Sequence, residues 1–485
     1  MASKRDAVKQ DSGVSLPRGT SGSKLFALLL EDTVSAFPGA FGSFHLPAGK
    51  KFRKGYPELV TQFEALRAAS PQRSQIALFL ARRQLQSFEF VVGDSSRPML
   101  EIFEAHAEPF PLSRGANPQT PLPIVEVPYR QATHKGGEVA LLANDFLERH
   151  GATKAAVKAL HWIANEGGST GHLDLSQLSF AILGASAEIA PTEALIHAGA
   201  RILWIDIKEP PAALQRPNVQ WVKGGADLLS APSRIGQTIV KFSEGKPVNL
   251  VACAYAPGRG REWRLAVAMS AIAHKLPAGI LASLILLLSP TSSCVTEPED
   301  VEAVQVRAKK AHLWQTALGV ARVLGPPLVK MGSVSVARSI VPMQGATYQA
   351  AQYAAKRITA EAFAMYGPGL DEKNPRPLLV SANVAPITRT RSLKHPLFEA
   401  AFLGAPTFGV EIFDPPATRA IGLLLALHDL LNPASVNHGT KNAADLFRQQ
   451  VHSAIYGLPW ALAPSITASA LLGLGMRPKI LLKMF

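Results

Sequence analysis

The chain has 485 residues, of which 47% are hydrophobic and 18% charged, and this composition excludes a wholly disordered protein. The formal net charge of +14 favours anionic partners such as phosphorylated cofactors. The basic residues are scattered and form no zinc-finger, RRM-like or basic-region pattern, so we expect no nucleic-acid binding.

The cysteines, the histidines and the N-terminus limit the compartment and the kinds of metal site that the sequence predicts. Cys253 and Cys294 support neither a disulfide framework nor a cysteine-based zinc site, and they favour a reducing compartment, the cytoplasm. The histidines lack metal-ligand spacing, so no metal is expected. Residues 1–24 carry charge without an apolar core, which predicts a disordered tail rather than a secretory signal.

A mixed, mainly helical N-terminal unit is predicted over residues 25–175. The stretch 56–73 has helical spacing, 88–92 is typical of a short strand, and 138–166 predicts two amphipathic helices. Many proline and glycine residues in 108–127 indicate a surface loop.

The next part of the chain, 176–420, alternates short apolar runs with helix-length segments. Continuous apolar runs of this kind predict a parallel sheet that helices cover on both faces. We therefore expect an α/β fold with a doubly wound, Rossmann-like sheet. The predicted strands are SFAILG, RILWIDI, VQWVKG, VNLVACAY, LASLILLL, PLLVSANVAP and FGVEIFD.

The last part, 421–485, is predicted to be a helical, apolar extension. Its stretch 453–476 contains no charged side chain and is followed by three basic residues. Pro459 and Pro464 argue against a membrane-spanning helix, so we expect this stretch to be buried on the domain or between subunits of a homo-oligomer. Peripheral membrane contact through 453–485 is the alternative.

A strand–turn–helix–strand pattern over 179–206 has the features of a phosphate site. The first strand runs into Gly184 and a turn of small residues, and a helix is predicted to begin near Ile189 with Pro191 in its first turn. The N–H groups at such a helix N-terminus favour a pyrophosphate. Asp206 ends the second strand, where a carboxylate can accept hydrogen bonds from a ribose diol.

This segment resembles the short-chain dehydrogenase/reductase family, whose turn is similar to GASxGIG. The residues that match are Gly184, Ala185, Ser186 and Ile189. Glu188 and Ala190 stand where the family has glycines. These two side chains narrow the space for a pyrophosphate, and Glu188 brings a negative charge close to it.

Later segments resemble the family in the same order along the chain. Asp227 and Leu228 resemble the pair that packs against the adenine. The segment ACAYAPG, which contains Ala254, stands in the place of the family's NNAG and lacks both asparagines. The segment LLVSANVAPITRTRS is similar to the stretch beside the nicotinamide, and its comparable residues are Asn383, Pro386 and Thr388 or Thr390.

The resemblance implies that the cofactor is NAD or NADP. Asp206 favours NAD because its charge repels a 2′-phosphate, whereas Lys208 could instead accept that phosphate.

Residues 345–368 resemble the family's helix in which a tyrosine and a lysine stand four positions apart. The resemblance implies that Tyr348 is the proton donor and that Gln352 replaces the lysine that lowers the pKa of the tyrosine. An uncharged Gln352 would leave the Tyr348 pKa near its ordinary value of about 10. Lys356 lies two turns beyond Tyr348 on roughly the same face. The pair Tyr353 and Lys356 is the other combination that the segment offers.

Two serines are candidates for the third catalytic position. Ser335 lies thirteen residues before Tyr348, and Ser289 follows the most apolar strand, in SPTSS. We expect SPTSS to face the cleft because ligands bind beyond the carboxyl ends of parallel strands. Turns that carry helix caps explain both stretches equally well.

Two hypotheses about function follow. The first is an atypical NAD(P)-dependent oxidoreductase that acts on a carbonyl, an alcohol or a C=C bond of a fairly apolar small molecule, with the C-terminal region as the pocket wall. The alternative is a catalytically degenerate Rossmann-fold nucleotide-binding protein that serves as a sensor, scaffold or partner. Gln352 is the residue that separates them.

Overall fold

The computed structural model describes residues 12–118, 121–258, 260–321, 323–393, 395–439 and 442–483. Its strands are β1 (Gly13–Ser15), β2 (Glu89–Val92), β3 (Ser95–Pro98), β4 (Leu112–Arg114), β5 (Glu126–Tyr129), β6 (Ala132–Lys135), β7 (Ser179–Leu183), β8 (Arg201–Ile205), β9 (Val219–Val222), β10 (Val248–Ala252), β11 (Leu281–Leu288), β12 (Leu328–Met331), β13 (Val334–Ala337) and β14 (Leu379–Val384).

The α-helices are α1 (Gly22–Ala36), α2 (Pro38–Phe41), α3 (Gly49–Ala69), α4 (Arg73–Ser87), α5 (Glu138–Glu148), α6 (Lys154–Gly167), α7 (Thr192–His197), α8 (Pro232–Ser243), α9 (Arg261–Lys275), α10 (Pro298–Lys309), α11 (Leu313–Val320), α12 (Ala346–Gln349), α13 (Thr359–Tyr366), α14 (Pro396–Gly404), α15 (Pro415–Leu431) and α16 (Leu462–Met476). A π-helical segment, Ala350–Ile358, joins α12 to α13 in one continuous helix.

A seven-stranded sheet forms the centre of the fold, in the order β14–β11–β10–β7–β8–β9–β4. Six of its strands run parallel, and β4 pairs antiparallel with β9 at one edge. The chain starts in the middle at β7, builds outward through β8 and β9, and then returns to place β10, β11 and β14 on the other side. The strand order therefore reverses between β7 and β10.

Both faces of this sheet are buried. In β7, Ala181 and Leu183 belong to one apolar core, while Phe180 and Ile182 belong to the other. Helices α8, α9 and the continuous helix supply side chains to the first core, and α5, α6, α7 and α15 supply them to the second. Alternate side chains of a strand point to opposite faces, so this pattern explains the continuous apolar runs of the sequence.

Most of the predicted strands are confirmed, and one is wrong. SFAILG, RILWIDI, VQWVKG, VNLVACAY, LASLILLL and PLLVSANVAP each contain a strand of the central sheet. FGVEIFD does not form a strand, and Phe413 makes only an isolated bridge to Thr388. Phe408 is buried against Trp314 and Trp460, and Gly409 adopts a φ of 65°. The apolar side chain of Phe408 is thus buried by these aromatic contacts and not by the faces of a sheet.

The N-terminal third departs from the sequence predictions in two places. Of the predicted tail, residues 1–11 lie outside the described part of the chain, whereas 12–24 contain β1 and the start of α1. The predicted loop 108–127 contributes β4 to the central sheet, because three residues there pair with β9. The two helices expected in 138–166 are α5 and α6.

A buried ion network joins the N-terminal helices to the continuous helix. Arg67 of α3 binds Glu64 at 2.8 Å and Glu361 at 2.9 Å, and Arg73 binds Glu361 at 3.1 Å. These side chains are almost entirely shielded from solvent, so each charge needs its partners. The division of the chain at 175 and 420 stays a prediction, and the packing described here crosses both positions.

The helix pair α14 and α16 packs closely because small residues face each other. A Cβ at Gly404 would overlap the backbone of Ser469, and a Cβ at Gly473 would overlap the backbone of Ala400. Glycine therefore allows the two helix backbones to touch. Among the described residues, no helix is both long and apolar enough to cross a bilayer.

Candidate functional site

A cleft opens at the carboxyl ends of the parallel strands, where the strand order reverses. It consists of two cavities, one of about 1240 Å³ and one of about 720 Å³. Residues 255–257 and Ser392 line both of them, so the two cavities are adjacent. In open α/β sheets this position is where ligands bind.

Gly184 shapes the first cavity. Its φ of 84° is rare for residues with a side chain, and a Cβ there would lie 2.5 Å from the backbone of Ala254. The turn after β7 and the segment after β10 can approach each other this closely only because residue 184 is glycine. Both residues line the first cavity, as the sequence analysis expects of cofactor contacts.

The helix after this turn begins later than the sequence predicts. It starts at Thr192, is six residues long, and is preceded by Pro191 at its cap. Proline disfavours the helical conformation of the residue before it, so Ala190 cannot extend the helix backward. Ile189 therefore lies in the turn and lines the second cavity rather than a helix N-terminus at the first.

Asp206, which follows β8, is hydrogen-bonded to the turn that begins at Gly184. Its Oδ2 accepts hydrogen bonds from the Ser186 backbone N–H at 2.9 Å and from the Ser186 hydroxyl at 2.8 Å. Both residues line the first cavity, and so do Asp227 and Leu228. The Lys208 side chain is exposed and does not line either cavity.

Glu188 also lines the first cavity, but its charge has partners. Its Oε2 accepts a hydrogen bond from the Arg391 backbone N–H at 3.0 Å and one from the Tyr255 hydroxyl at 3.3 Å. The Arg391 guanidinium lies 3.8 Å from Oε1. Arg261 and Arg419 line the same cavity, so cations offset the Glu188 carboxylate.

The second cavity has mostly apolar walls. Phe398, Phe402 and Ile466 line it from α14 and α16, and Pro386 and Thr388 line it from the segment after β14. The cavity therefore suits an apolar small molecule with a few polar atoms.

One residue expected at this site has other surroundings. Asn383 is buried inside the fold, where its side-chain amide donates to the Ser381 hydroxyl at 2.9 Å, and it lines neither cavity. Cys253 does line the second cavity, but burial raises the pKa of its thiol to about 12. The thiol therefore stays protonated and is not a nucleophile.

A chain of hydroxyl and amide groups lines one wall of the second cavity. The Ser289 and Thr291 hydroxyls lie 2.8 Å apart, and Thr291 donates to Gln344 at 2.8 Å. Tyr348 lines the same cavity. Burial raises the pKa of Tyr348 to about 12, hydrogen bonding to Ser289 and Thr291 opposes the rise, and the charge of Glu262 adds to it. This value corrects the expectation of an ordinary tyrosine pKa.

Glu262, which the sequence analysis did not single out, is the centre of the polar wall. Its Oε1 accepts hydrogen bonds from the Gln352 amide at 2.9 Å and from the Lys356 ammonium at 3.0 Å. The Gln352 carbonyl in turn accepts from the Ser289 backbone N–H at 3.3 Å. Lys356 is thus neutralised by a carboxylate within the cavity wall.

Tyr348, Gln352 and Lys356 all line the second cavity. They stand four positions apart, and residues at this spacing lie close to one face of a helix. The sequence analysis expects Lys356 on roughly the same face as Tyr348, and both side chains line this cavity, although residues 350–358 are π-helical.

The other candidates for the polar wall lie elsewhere. The Tyr353 hydroxyl donates to Glu64 at 2.6 Å within the buried ion network, so Tyr353 does not share the cavity with Lys356. Ser335 lies in β13, where its carbonyl accepts from Thr296, and it lines neither cavity. Of the two serines, only Ser289 is at the cleft.

Comparison of the chain with protein-family models, with curated proteins and with solved structures gives no match. The resemblance to the short-chain dehydrogenase/reductase family therefore rests on the residues of this chain and their positions. Within the described residues, no group of three or more His, Cys, Asp or Glu side chains could hold a metal ion.

Proposed function

We propose that the protein is an NAD(P)-dependent oxidoreductase that reduces a carbonyl group or a C=C bond in an apolar small molecule. One observation carries the proposal. A cavity lined by paired acidic and basic side chains lies beside a mostly apolar cavity whose polar wall contains Tyr348 and Glu262, at the point where the strand order reverses.

The strand order supports this proposal. Counted along the chain from β7, the parallel strands lie in the order 3-2-1-4-5-6, which is that of Rossmann-type dinucleotide-binding sheets. Such sheets bind the cofactor across the position where the order reverses, and the two adjacent cavities lie at this position. A dinucleotide needs one region for its adenosine half and one for its nicotinamide half.

The first cavity fits the adenosine diphosphate half of the cofactor. Asp206 would hold the ribose, and Asp227 and Leu228 would contact the adenine. Arg261, Arg391 and Arg419 would hold the phosphates, and the close approach of Ala254 to Gly184 keeps the floor free of side chains. Arginine suits this role because its guanidinium matches phosphate oxygens.

The second cavity fits the nicotinamide and the substrate. Pro386 and Thr388 would border the nicotinamide, while Phe398 and Phe402 would contact the apolar substrate. A reduced nicotinamide, when bound, supplies the hydride. Tyr348 stays protonated at neutral pH because its pKa is about 12, so its hydroxyl can donate a proton to the substrate oxygen.

The ion pair between Lys356 and Glu262 sets the direction of this chemistry. Paired with a carboxylate, the Lys356 ammonium cannot favour the phenolate of Tyr348 as a lone cation would. Alcohol oxidation requires that phenolate as the base, whereas carbonyl reduction requires the phenol as the acid. We therefore propose reduction as the working direction.

Cofactor binding tests the proposal directly, by calorimetric titration with NADH and NADPH. We expect NADH to bind more tightly, because the Asp206 carboxylate lies in the first cavity and repels a 2′-phosphate. Asp206→Asn keeps an oxygen acceptor for Ser186 but removes the charge, so it should narrow the difference between the two cofactors. Ser186→Ala is the control, since it removes the hydroxyl hydrogen bond to Asp206 and leaves the charge of Asp206 in place. Equal affinity of the wild-type protein for both cofactors would contradict the role of Asp206.

A further inference from the structure

Helix α11 buries a polar side chain and exposes apolar ones. Its buried side chain is Gln315, whose amide donates to the Thr407 carbonyl at 3.1 Å. Leu313 and Val320 are instead 90% and 81% exposed, and Val323 in the following turn is also exposed. A surface helix normally buries its apolar side chains, so this arrangement indicates that another apolar medium covers α11.

Helix α16 also exposes apolar side chains. It is apolar on all sides, and while Ser469 and Gly473 pack on α14, Leu471 is 67% exposed and Met476 is exposed as well. Both helices pack on the turn Ala405–Phe408. The rings of Trp314 and Phe408 lie 5.7 Å apart, and α16 contacts the same turn. We call the exposed side chains of the two helices the apolar surface; they are Leu313, Val320, Val323, Leu471 and Met476.

The charges around the apolar surface are almost all positive. Residues 303–360, which contain α11, include no Asp or Glu, and neither do residues 446–485, which contain α16. Exposed cations flank the surface at Lys309, Lys310, Arg477 and Lys479. Glu399 of α14 lies 3.9 Å from the Arg477 guanidinium.

We propose that the apolar surface binds a membrane containing anionic lipid, with α11 and α16 lying in the interface. Apolar side chains bordered by Lys and Arg are typical of segments that insert between headgroups, and anionic headgroups attract the cations. A second copy of this chain is a poorer occupant. In a two-fold dimer each surface faces itself, so cations would face cations with few carboxylates to pair with them.

The position of the apolar surface relative to the cleft adds a consequence. Phe398 and Phe402 of α14 and Ile466 of α16 line the second cavity, and the outer side of α16 belongs to the apolar surface. One helix pair thus separates the cavity from the proposed membrane. An apolar molecule dissolved in the bilayer would then need to pass only this helix pair to reach the cleft. Membrane binding itself does not depend on which reaction the cleft performs.

Sedimentation of the full chain with vesicles tests the proposal. We expect binding to vesicles of phosphatidylcholine with phosphatidylserine, much weaker binding to phosphatidylcholine alone, and weaker binding as salt rises. The double variant Leu313→Ser with Val320→Ser should lower the affinity by about tenfold or more, since two apolar side chains no longer insert. Leu471→Ser should also weaken binding.

Leu141→Ser is the matched control, because Leu141 is 69% exposed on α5, outside the apolar surface. It should bind vesicles like the wild-type protein. All of these side chains are exposed, so the variants should keep the wild-type melting temperature. Equal binding by the double variant and the wild type, or no binding to anionic vesicles, would overturn the proposal. So would a dimer in solution that the double variant converts to monomer, since a second copy would then cover the surface.

Discussion

Replacing Tyr348 with phenylalanine should lower the rate of substrate reduction by a factor of about 10² to 10⁴, the usual contribution of a positioned proton donor. Phenylalanine fills nearly the same space but cannot donate to the substrate oxygen. The affinity for the reduced cofactor should stay nearly the same, because the hydroxyl that is removed is proposed to contact the substrate oxygen rather than the cofactor. Steady-state kinetics with a calorimetric measurement of cofactor affinity would separate the two effects.

Tyr353→Phe provides the matched control for this substitution. Tyr353 is five residues farther along the same helix, but its hydroxyl donates to Glu64 inside the buried ion network. We expect the loss of that bond to lower the melting temperature and to leave the rate per folded molecule unchanged. If Tyr348→Phe kept full turnover while Tyr353→Phe lost it, the assignment of the proton donor would be wrong.

Replacing Glu262 with glutamine should increase alcohol oxidation relative to reduction and shift its pH dependence toward lower pH. The Glu262 charge raises the pKa of Tyr348 and pairs with the Lys356 ammonium. Without it, the Lys356 ammonium is no longer paired with a carboxylate and favours the phenolate, which lowers the pKa of Tyr348. Below the pKa, each unit of decrease gives tenfold more phenolate at a fixed pH.

The pH profile of oxidation measures this change, and its sign is specific. The wild-type rate should keep rising with pH toward the Tyr348 pKa of about 12, whereas the variant should reach its plateau at lower pH. Glu399→Gln is the control. Glu399 of α14 pairs with Arg477 and does not line the second cavity. An unchanged profile in Glu262→Gln would show that Lys356 does not act on Tyr348.

The central sheet could be predicted because its strands are fully buried. A strand between two helical layers must be apolar on both faces, so β7, β8, β10 and β11 each appear in the sequence as a mainly apolar run. The same criterion failed for FGVEIFD. Its Phe408 packs against two tryptophans instead of lying in a strand. An apolar run in the sequence does not show whether its residues form a strand or pack in an aromatic cluster.

The cleft was only partly predictable, because its polar wall depends on contacts between distant segments. Glu262 and Gln352 are 90 positions apart, and nothing in either segment indicates that they meet. The common face of Tyr348 and Lys356 was predictable from helical spacing, whereas the ion pair of Lys356 with Glu262 was not. The sequence analysis placed Pro191 inside the first turn of the helix, whereas in the structure Pro191 precedes the helix. The expected phosphate contacts of the helix N-terminus are therefore displaced.

The most direct test of the central claim is to incubate the protein with NADH, NADPH and a panel of apolar ketones, aldehydes and α,β-unsaturated carbonyl compounds. Loss of the reduced-cofactor absorbance, with the product identified by mass spectrometry, reports turnover. We expect at least one compound to be reduced by the wild-type protein and not by Tyr348→Phe. Saturable cofactor binding without turnover of any compound in the panel would contradict the enzymatic function and favour a nucleotide-binding sensor, scaffold or partner.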